Sequence, residues 1–264
     1  MSVLNGRVLV TGATGGIGQA IARALAERGA RLILSGRRVD VLEALAEELG
    51  GQAIACDLAE RNEVARLIEQ AGDVDVLVAN AALPGAGALT DFTQEQLDRT
   101  LEVNLRAPIA LARGFTPQMI ARGAGHLAFM SSLNGRVATP LTSVYSATKF
   151  GLRGFALGIR QDLKTHGVGV SVVMPGFVSE AGLFADAGAR LPPGVGTRTP
   201  AAVAAALIRA IDRNRAEVDV APLTIRLGAY VAGAAPELAA SVTRLAGGER
   251  IASDVAEGQR NKRD

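Results

Sequence analysis

Short apolar runs alternate along this chain with longer stretches of helical periodicity. Val8-Leu9-Val10 is the first run, followed by residues 31–35, residues 52–56, Val76-Leu77-Val78, and residues 126–130, 169–174 and 217–221. Apolar runs of strand length, separated by segments of helix length, predict parallel strands covered on both faces by helices. The expected fold is therefore α/β and three-layered, with a seven-stranded, mostly parallel, doubly wound sheet. Two long central helices are expected at about residues 100–113 and 143–165. Residues 182–198, rich in Gly and Pro, predict no helix and read as a mobile lid over a substrate. They end at Thr199-Pro200, a cap followed by proline at the first helical position.

Beyond residue 222 the pattern changes. Residues 223–234 are apolar apart from Arg226, with Leu227, Tyr230, Val231 and Ala234 at helical spacing. A second segment opens at Pro236 and stops before Gly247-Gly248. Neither reaches the ~20 apolar residues that span a bilayer. The predicted division is a dinucleotide-binding and catalytic domain over residues 1–222, with a helical C-terminal extension over residues 223–264 packed on it. Packing over the domain or a subunit interface is the favoured reading of the apolar face, ahead of a lipophilic portal or a membrane-surface contact.

The first run leads into Thr11-Gly12-Ala13-Thr14-Gly15-Gly16-Ile17-Gly18 and then into a helical stretch, residues 19–28. Strand, glycine-rich turn and helix in that order make a nucleotide-binding turn. Gly12 permits the tight bend, while Gly16 and Gly18 let backbone and helix approach a pyrophosphate. The helix N-terminus offers the phosphates free N–H groups and a positive dipole end. About twenty residues on, at the end of the second strand, an NAD enzyme usually carries an acidic residue that accepts from the ribose 2′-OH. This chain has Gly36-Arg37-Arg38 there. A guanidinium binds a 2′-phosphate bidentately and offers a hydroxyl no acceptor. NADP(H) is the preferred cofactor, with NAD(H) as the alternative.

Tyr145-Ser146-Ala147-Thr148-Lys149 places a phenol and an ammonium four residues apart, on one face of a helix. A free tyrosine titrates near pH ~10. An ammonium ~4 Å away, at an effective dielectric of about 20, favours the phenolate by roughly 4 kcal/mol before screening. The expectation is a lowered phenol pKa and a tyrosine that serves as general acid and base.

Together these motifs resemble the short-chain dehydrogenase/reductase family in its compact branch, over residue 4 to about residue 222. Further residues match in the family's order. Asp57-Leu58 closes the third strand like the segment that contacts the adenine ring. Asn80-Ala81-Ala82 is similar to the segment that supports the central sheet, with Ala82 where a glycine is usual. Asn104 matches the asparagine that holds a water in the proton relay, and Ser132 lies thirteen residues before Tyr145, at the spacing of the catalytic serine. Pro175-Gly176-Phe177-Val178 resembles the turn beside the nicotinamide. Glu180 stands where a threonine commonly bonds the carboxamide, so either Glu180 or its neighbours serve that amide.

The resemblance implies a Rossmann fold and hydride transfer between a nicotinamide and a carbonyl or alcohol carbon of a small molecule, and the apolar lid suggests that this molecule is lipophilic. It assigns Tyr145 to proton transfer, Ser132 to the substrate oxygen, Lys149 to the ribose hydroxyls and the Tyr145 pKa, and Asn104 to the water. A homodimer or homotetramer is implied as well. A cofactor-binding sensor without turnover is the alternative, and the intact Asn104, Ser132, Tyr145 and Lys149 set argues against it.

Composition narrows the field further. A net charge of +2, with no basic stripe carrying interleaved aromatics, excludes nucleic acid as the expected partner. The single cysteine, Cys56, allows no internal disulfide, reads as a small core residue, and agrees with a reducing cytoplasm. No secretory signal is read at the N-terminus. His126 and His166 stand alone without ligand spacing, so no metal is expected. Arg260-Asn261-Lys262-Arg263 reads as a solvated tail.

Overall fold

The computed structural model describes residues 3–188, 191, 195–235, 237 and 248–260. Seven strands, β1 (Arg7–Thr11), β2 (Arg31–Gly36), β3 (Gln52–Ala55), β4 (Val76–Ala79), β5 (Gly125–Met130), β6 (Val168–Pro175) and β7 (Glu217–Val220), form one sheet in the order β3-β2-β1-β4-β5-β6-β7. Every pairing is parallel. The apolar runs are strands for the reason their composition gave: β4, β5 and β6 are buried at every position, so both faces need apolar side chains.

Two cores result. One face is covered by α1 (Gly16–Ala26), α2 (Val39–Leu49) and α8 (Pro200–Asp212), the other by α3 (Arg61–Ala71), α5 (Ala107–Arg122) and α6 (Ser143–Leu163). The chain order reverses between β1 and β4. In an open parallel sheet that reversal leaves a crevice at the carboxyl ends of the strands, where ligands bind.

Several elements differ from the sequence expectation. The first central helix starts earlier and ends later than residues 100–113. α4 (Gln94–Leu101) opens on a capping box between Thr93 and Gln96, a π turn (Glu102–Arg106) follows, and α5 continues to Arg122. The segment expected to hold no helix contains a short one, α7 (Leu183–Asp186).

After Pro222, α9 (Leu223–Ala234) forms as the spacing predicted, but its apolar side chains are not covered by the domain. Leu223, Leu227, Tyr230 and Val231 are 49–63% exposed, because the helix is held from its other side by Ala229 and by polar anchors. The predicted segment from Pro236 to Gly247 lies outside the described residues apart from Glu237. A further helix, α10 (Gly248–Gln259), opens where a stop was expected. Among the described residues no helix is long and apolar enough to cross a membrane.

Candidate active site

The glycine turn is built by the ends of β1 and β4. Thr11 Oγ1 accepts from the N–H groups of Asn80 at 3.2 Å and Ala81 at 3.3 Å, while Asn80 Nδ2 donates to the carbonyls of Thr11 and Gly12. This brings the two strand ends so close that a Cβ on Gly12, whose φ is +64°, would lie 2.7 Å from Ala81 Cα. A Cβ on Gly18 would lie 2.1 Å from the Gly12 carbonyl oxygen. The helix that follows has Gly15 as its N-cap and no side-chain cap, so its first N–H groups stay available to an anion. Thr14 is buried, and Ile17 lies against Gly182 of the segment after β6. A turn in which Gly12 and Gly18 leave no room for a side chain, ending on an uncapped helix N-terminus, suits a pyrophosphate.

Beyond the glycine turn, three arginines gather around the ends of β2 and β3. Arg38 donates to the Thr14 carbonyl and so is fixed against the glycine turn. Arg37 is half-exposed, 4.0 Å from Asp57 Oδ2. Arg99, from α4, donates to the same carboxylate oxygen at 2.6 Å, and Ala59 N–H donates to the other at 3.0 Å. Burial works to raise the Asp57 pKa, but the Ala59 bond and Arg99 outweigh it and the carboxyl is held low. Leu58 turns its side chain into the core. Arg99 was not foreseen from sequence, since it lies 42 residues from Asp57 on a helix whose register no local motif fixes.

The chemical end lies where β5 and β6 finish beside α6. The Ser132 hydroxyl is near enough to favour ionisation of the Tyr145 phenol; it also accepts from Asn134 N–H at 3.1 Å and donates to the Pro175 carbonyl at 3.4 Å. Ser132 therefore caps local backbone and faces the phenol at once. Ser131 Oγ donates to the Lys149 carbonyl at 3.0 Å and ties α6 to the strand end.

Lys149 is buried, and its ammonium donates to the Met130 carbonyl at 3.0 Å, with Nζ 5.5 Å from the Tyr145 ring centre. This corrects the expected titration. Burial pushes the Tyr145 phenol up to about 12, against the lowering influence of Ser132, and burial pulls Lys149 down to about 8. The spacing rule put both groups on one face, as found, but the lysine head turns to a strand-end carbonyl and not to the phenol oxygen.

Asn104 sits within the π turn, fully buried, where its amide donates to the Leu83 carbonyl at 2.9 Å and accepts from the Leu83 N–H at 2.7 Å. Its side chain thus braces the loop after β4. A π turn of this kind often marks a functional position in a helix. On the far wall, Gly176 N–H donates to the Val220 carbonyl, and Val178 bridges to Arg198. Glu180 is exposed, with φ +67°, in a conformation that L residues adopt at a cost. Cys56 is buried and its thiol is pushed up to about 12 by burial, as a core residue would be.

A sequence profile of the short chain dehydrogenase family matches residues 6–190. The ketoacyl reductase HetN of Nostoc sp. is 36% identical over 83% of this chain and 80% of its own length. Dehydrogenase/reductase SDR family member 7B of Bos taurus is 31% identical over 89% of this chain and 79% of its own. Among solved structures, a short-chain dehydrogenase from Sphingobium yanoikuyae in complex with NADPH has a TM-score of 0.77 at 27% identity, covering 88% of this chain and 94% of that one. A metagenomic short-chain oxidoreductase in complex with NADP has a TM-score of 0.70 at 34% identity, over 84% and 99%. With its glycine cradle, its Tyr145–Ser132 pair and these relatives, the chain belongs to the short-chain dehydrogenase/reductase family of nicotinamide-dependent oxidoreductases.

Proposed function

We propose that this protein is an NADP(H)-dependent oxidoreductase acting on the carbonyl or secondary alcohol group of a small lipophilic molecule, with Tyr145 as the group that moves the proton. The observation that carries this reading is the buried Lys149, with its ammonium 5.5 Å from the Tyr145 ring centre, at the ends of β5 and β6 where Ser132 is held against the Pro175 carbonyl. When bound, the nicotinamide supplies or accepts the hydride.

The protein's own part is to bind, orient and transfer a proton. Ser132 holds the substrate oxygen next to the phenol, which fixes the carbon in line for reaction. Tyr145 donates its proton to that oxygen in reduction and takes one from the alcohol in oxidation. A phenol raised by burial is protonated at neutral pH and so holds the proton that reduction requires. Lys149, lowered to about 8, is within a small change of environment of giving up a proton, which suits a group that resupplies the tyrosine and binds ribose hydroxyls. Asn104 supports the same wall by bracing the loop at Leu83.

Preference for the 2′-phosphate rests on Arg37, with Arg38 fixing the turn, and accords with the NADPH and NADP carried by the two solved structures named above. The lipophilic substrate class rests on Phe177 and Phe184, whose rings lie 4.8 Å apart on the wall after β6. The relative named a ketoacyl reductase points the same way. Residues 1–222 would be the catalytic domain and residues 223–264 an extension of it. The exposed stripe of α9 fits a contact between subunits of a homodimer or homotetramer.

Tyr145→Phe tests the reading. The ring stays and only the acidic proton goes, so NADPH affinity should hold while turnover falls ~10²–10⁴-fold. A variant retaining more than a tenth of the wild-type rate on a good ketone would remove Tyr145 from the proposed role.

A further inference from the structure

The substrate cleft of the proposed reaction has two lips. One is the segment after β6, which lies on the glycine turn: a Cβ on Gly16 would meet Ala181 Cβ at 2.2 Å. This lip carries α7 and ends in Ala187-Gly188. The other is the loop after β4, which lies on the catalytic helix, since a Cβ on Gly85 would come within 3.1 Å of the Tyr145 backbone N. That lip ends in a 3-10 turn, Leu89–Asp91. On the oxidoreductase reading, the carbonyl reaches Tyr145 between them.

The end of α10 touches both. Gln259 is buried, and its amide donates to the Leu183 carbonyl at 3.1 Å, on the first lip. Gly258 is seated on the same lip so closely that a Cβ there would lie 2.1 Å from the Ala187 carbonyl oxygen. Arg260, the next residue after Gln259, reaches the second lip with Nη2 3.7 Å from Asp91 Oδ2. Three consecutive residues thus join the two walls. A buried amide bonded to a backbone carbonyl, next to a glycine that only a close approach demands, fixes the helix end in place. The exposed Arg260 pair adds little energy, but it sets the direction in which the helix end lies.

We infer that α10 is a strap across the mouth of the substrate cleft, with Gly258 and Gln259 as specificity-determining residues that limit the bulk admitted on either side of the carbonyl. This rests on the oxidoreductase reading given above. The strap's own contacts fall on Leu183, Ala187 and Asp91, outside the reacting atoms and beyond the residues that lie on the glycine turn, so it governs KM for bulky substrates and not proton transfer.

Gly258→Val in the full chain tests it, since the added side chain collides with the Ala187 carbonyl and must lift the helix end. Gln259→Ala is the milder companion, which removes one hydrogen bond and adds no bulk. Hydrogen exchange over residues 183–188 should quicken by about fivefold or more in both, the effect of one lost hydrogen bond. The ratio of kcat/KM for a diaryl ketone to that for a small cyclic ketone should rise by a similar factor through KM, with NADPH affinity unchanged. Unchanged exchange at residues 183–188 would show that the strap does not hold the lip. Quickened exchange with an unchanged substrate ratio would leave a contact without a role in specificity and overturn the inference. A wild-type chain that binds NADPH and reduces no ketone would refute the oxidoreductase reading instead, leaving the exchange result to decide the strap.

Discussion

α8 and α9 are equally apolar in sequence, yet the first buries seven residues and the second only Ala229. α8 begins on the Thr199 cap with Pro200 at its first position and packs along α1, so Val203, Ala204, Ala206, Leu207, Ile208, Ala210 and Ile211 all face the sheet or its neighbour. α9 leaves Leu223, Leu227, Tyr230 and Val231 exposed and is held by charges. Arg136, from the turn after Ser132, stacks on the Tyr230 ring with Cζ 4.1 Å from its centre, and also pairs with Glu217 at 3.3 Å and Asp219 at 3.4 Å. Arg226 approaches Asp219 from α9 at 3.9 Å, and Arg153 holds Glu217 from α6. Hydrophobicity alone does not place a helix. What it packs on, and which polar groups hold it, does.

The sharpest break of the comparison is truncation in each helix. Leu207→Ala should lose ~2–5 kcal/mol of stability, because it opens a cavity beneath a fully buried side chain. A loss under about 1 kcal/mol in denaturant unfolding would mean that α8 is not the structural helix described.

Acid should separate the two regions next. Ser171 donates to carbonyls at the end of α8 and just beyond it, Ala210 and Arg215, and contacts the buried His126 ring at 2.9 Å. Burial first, and the Arg160 charge second, lower His126 from 6.5 to about 3. The unfolded chain therefore binds the extra proton, and stability is lost as pH falls below 6.5, by up to about 1.4 kcal/mol per pH unit. The α9 anchors should last longer. Burial works to raise Glu217, but its bond with Arg153 and the Arg153 and Arg136 charges win and hold it low, so its contribution is present above the usual carboxylate pKa and lost only as pH falls through the lowered one. His126→Asn should flatten the unfolding free energy between pH 6.5 and about 5, and an unaltered slope would assign that loss to other groups.

Smaller effects remain for α9 itself. Tyr230→Leu keeps the apolar bulk and removes the ring, so the lost cation–π contact should lower stability by about 0.5–2 kcal/mol. Leu227→Ser should change monomer stability by less than ~0.5 kcal/mol, as an exposed position does, while weakening any self-association measured by light scattering. A large stability loss at Leu227 would show that the stripe is covered in solution.

Strands were legible from sequence because parallel strands buried on both faces must be apolar throughout, and the glycine turn because its context is local. Tyr145 and Lys149 share a helix face as the spacing required. The direction of the lysine head was not legible, since the Met130 carbonyl that receives it lies nineteen residues away in a strand whose register only the sheet fixes. Arg99 and Gln259 escaped for the same reason, at 42 and 76 residues from their partners. The exposure of α9 escaped because an apolar helical spacing states which residues share a face and says nothing of what covers it.

The glycine turn itself holds a distinction that a sequence motif cannot express. Gly12 and Gly18 answer to their own neighbours, Ala81 and the Gly12 carbonyl, so the chain needs them in order to close. Gly15 has extended backbone at φ −76°, and a Cβ there meets only the Gly12 carbonyl oxygen at 3.5 Å, an ordinary contact. Folding does not ask for glycine at that position. Within one turn, architecture and ligand therefore make separate demands, and Gly15 is where a methyl group would measure the ligand's demand by itself.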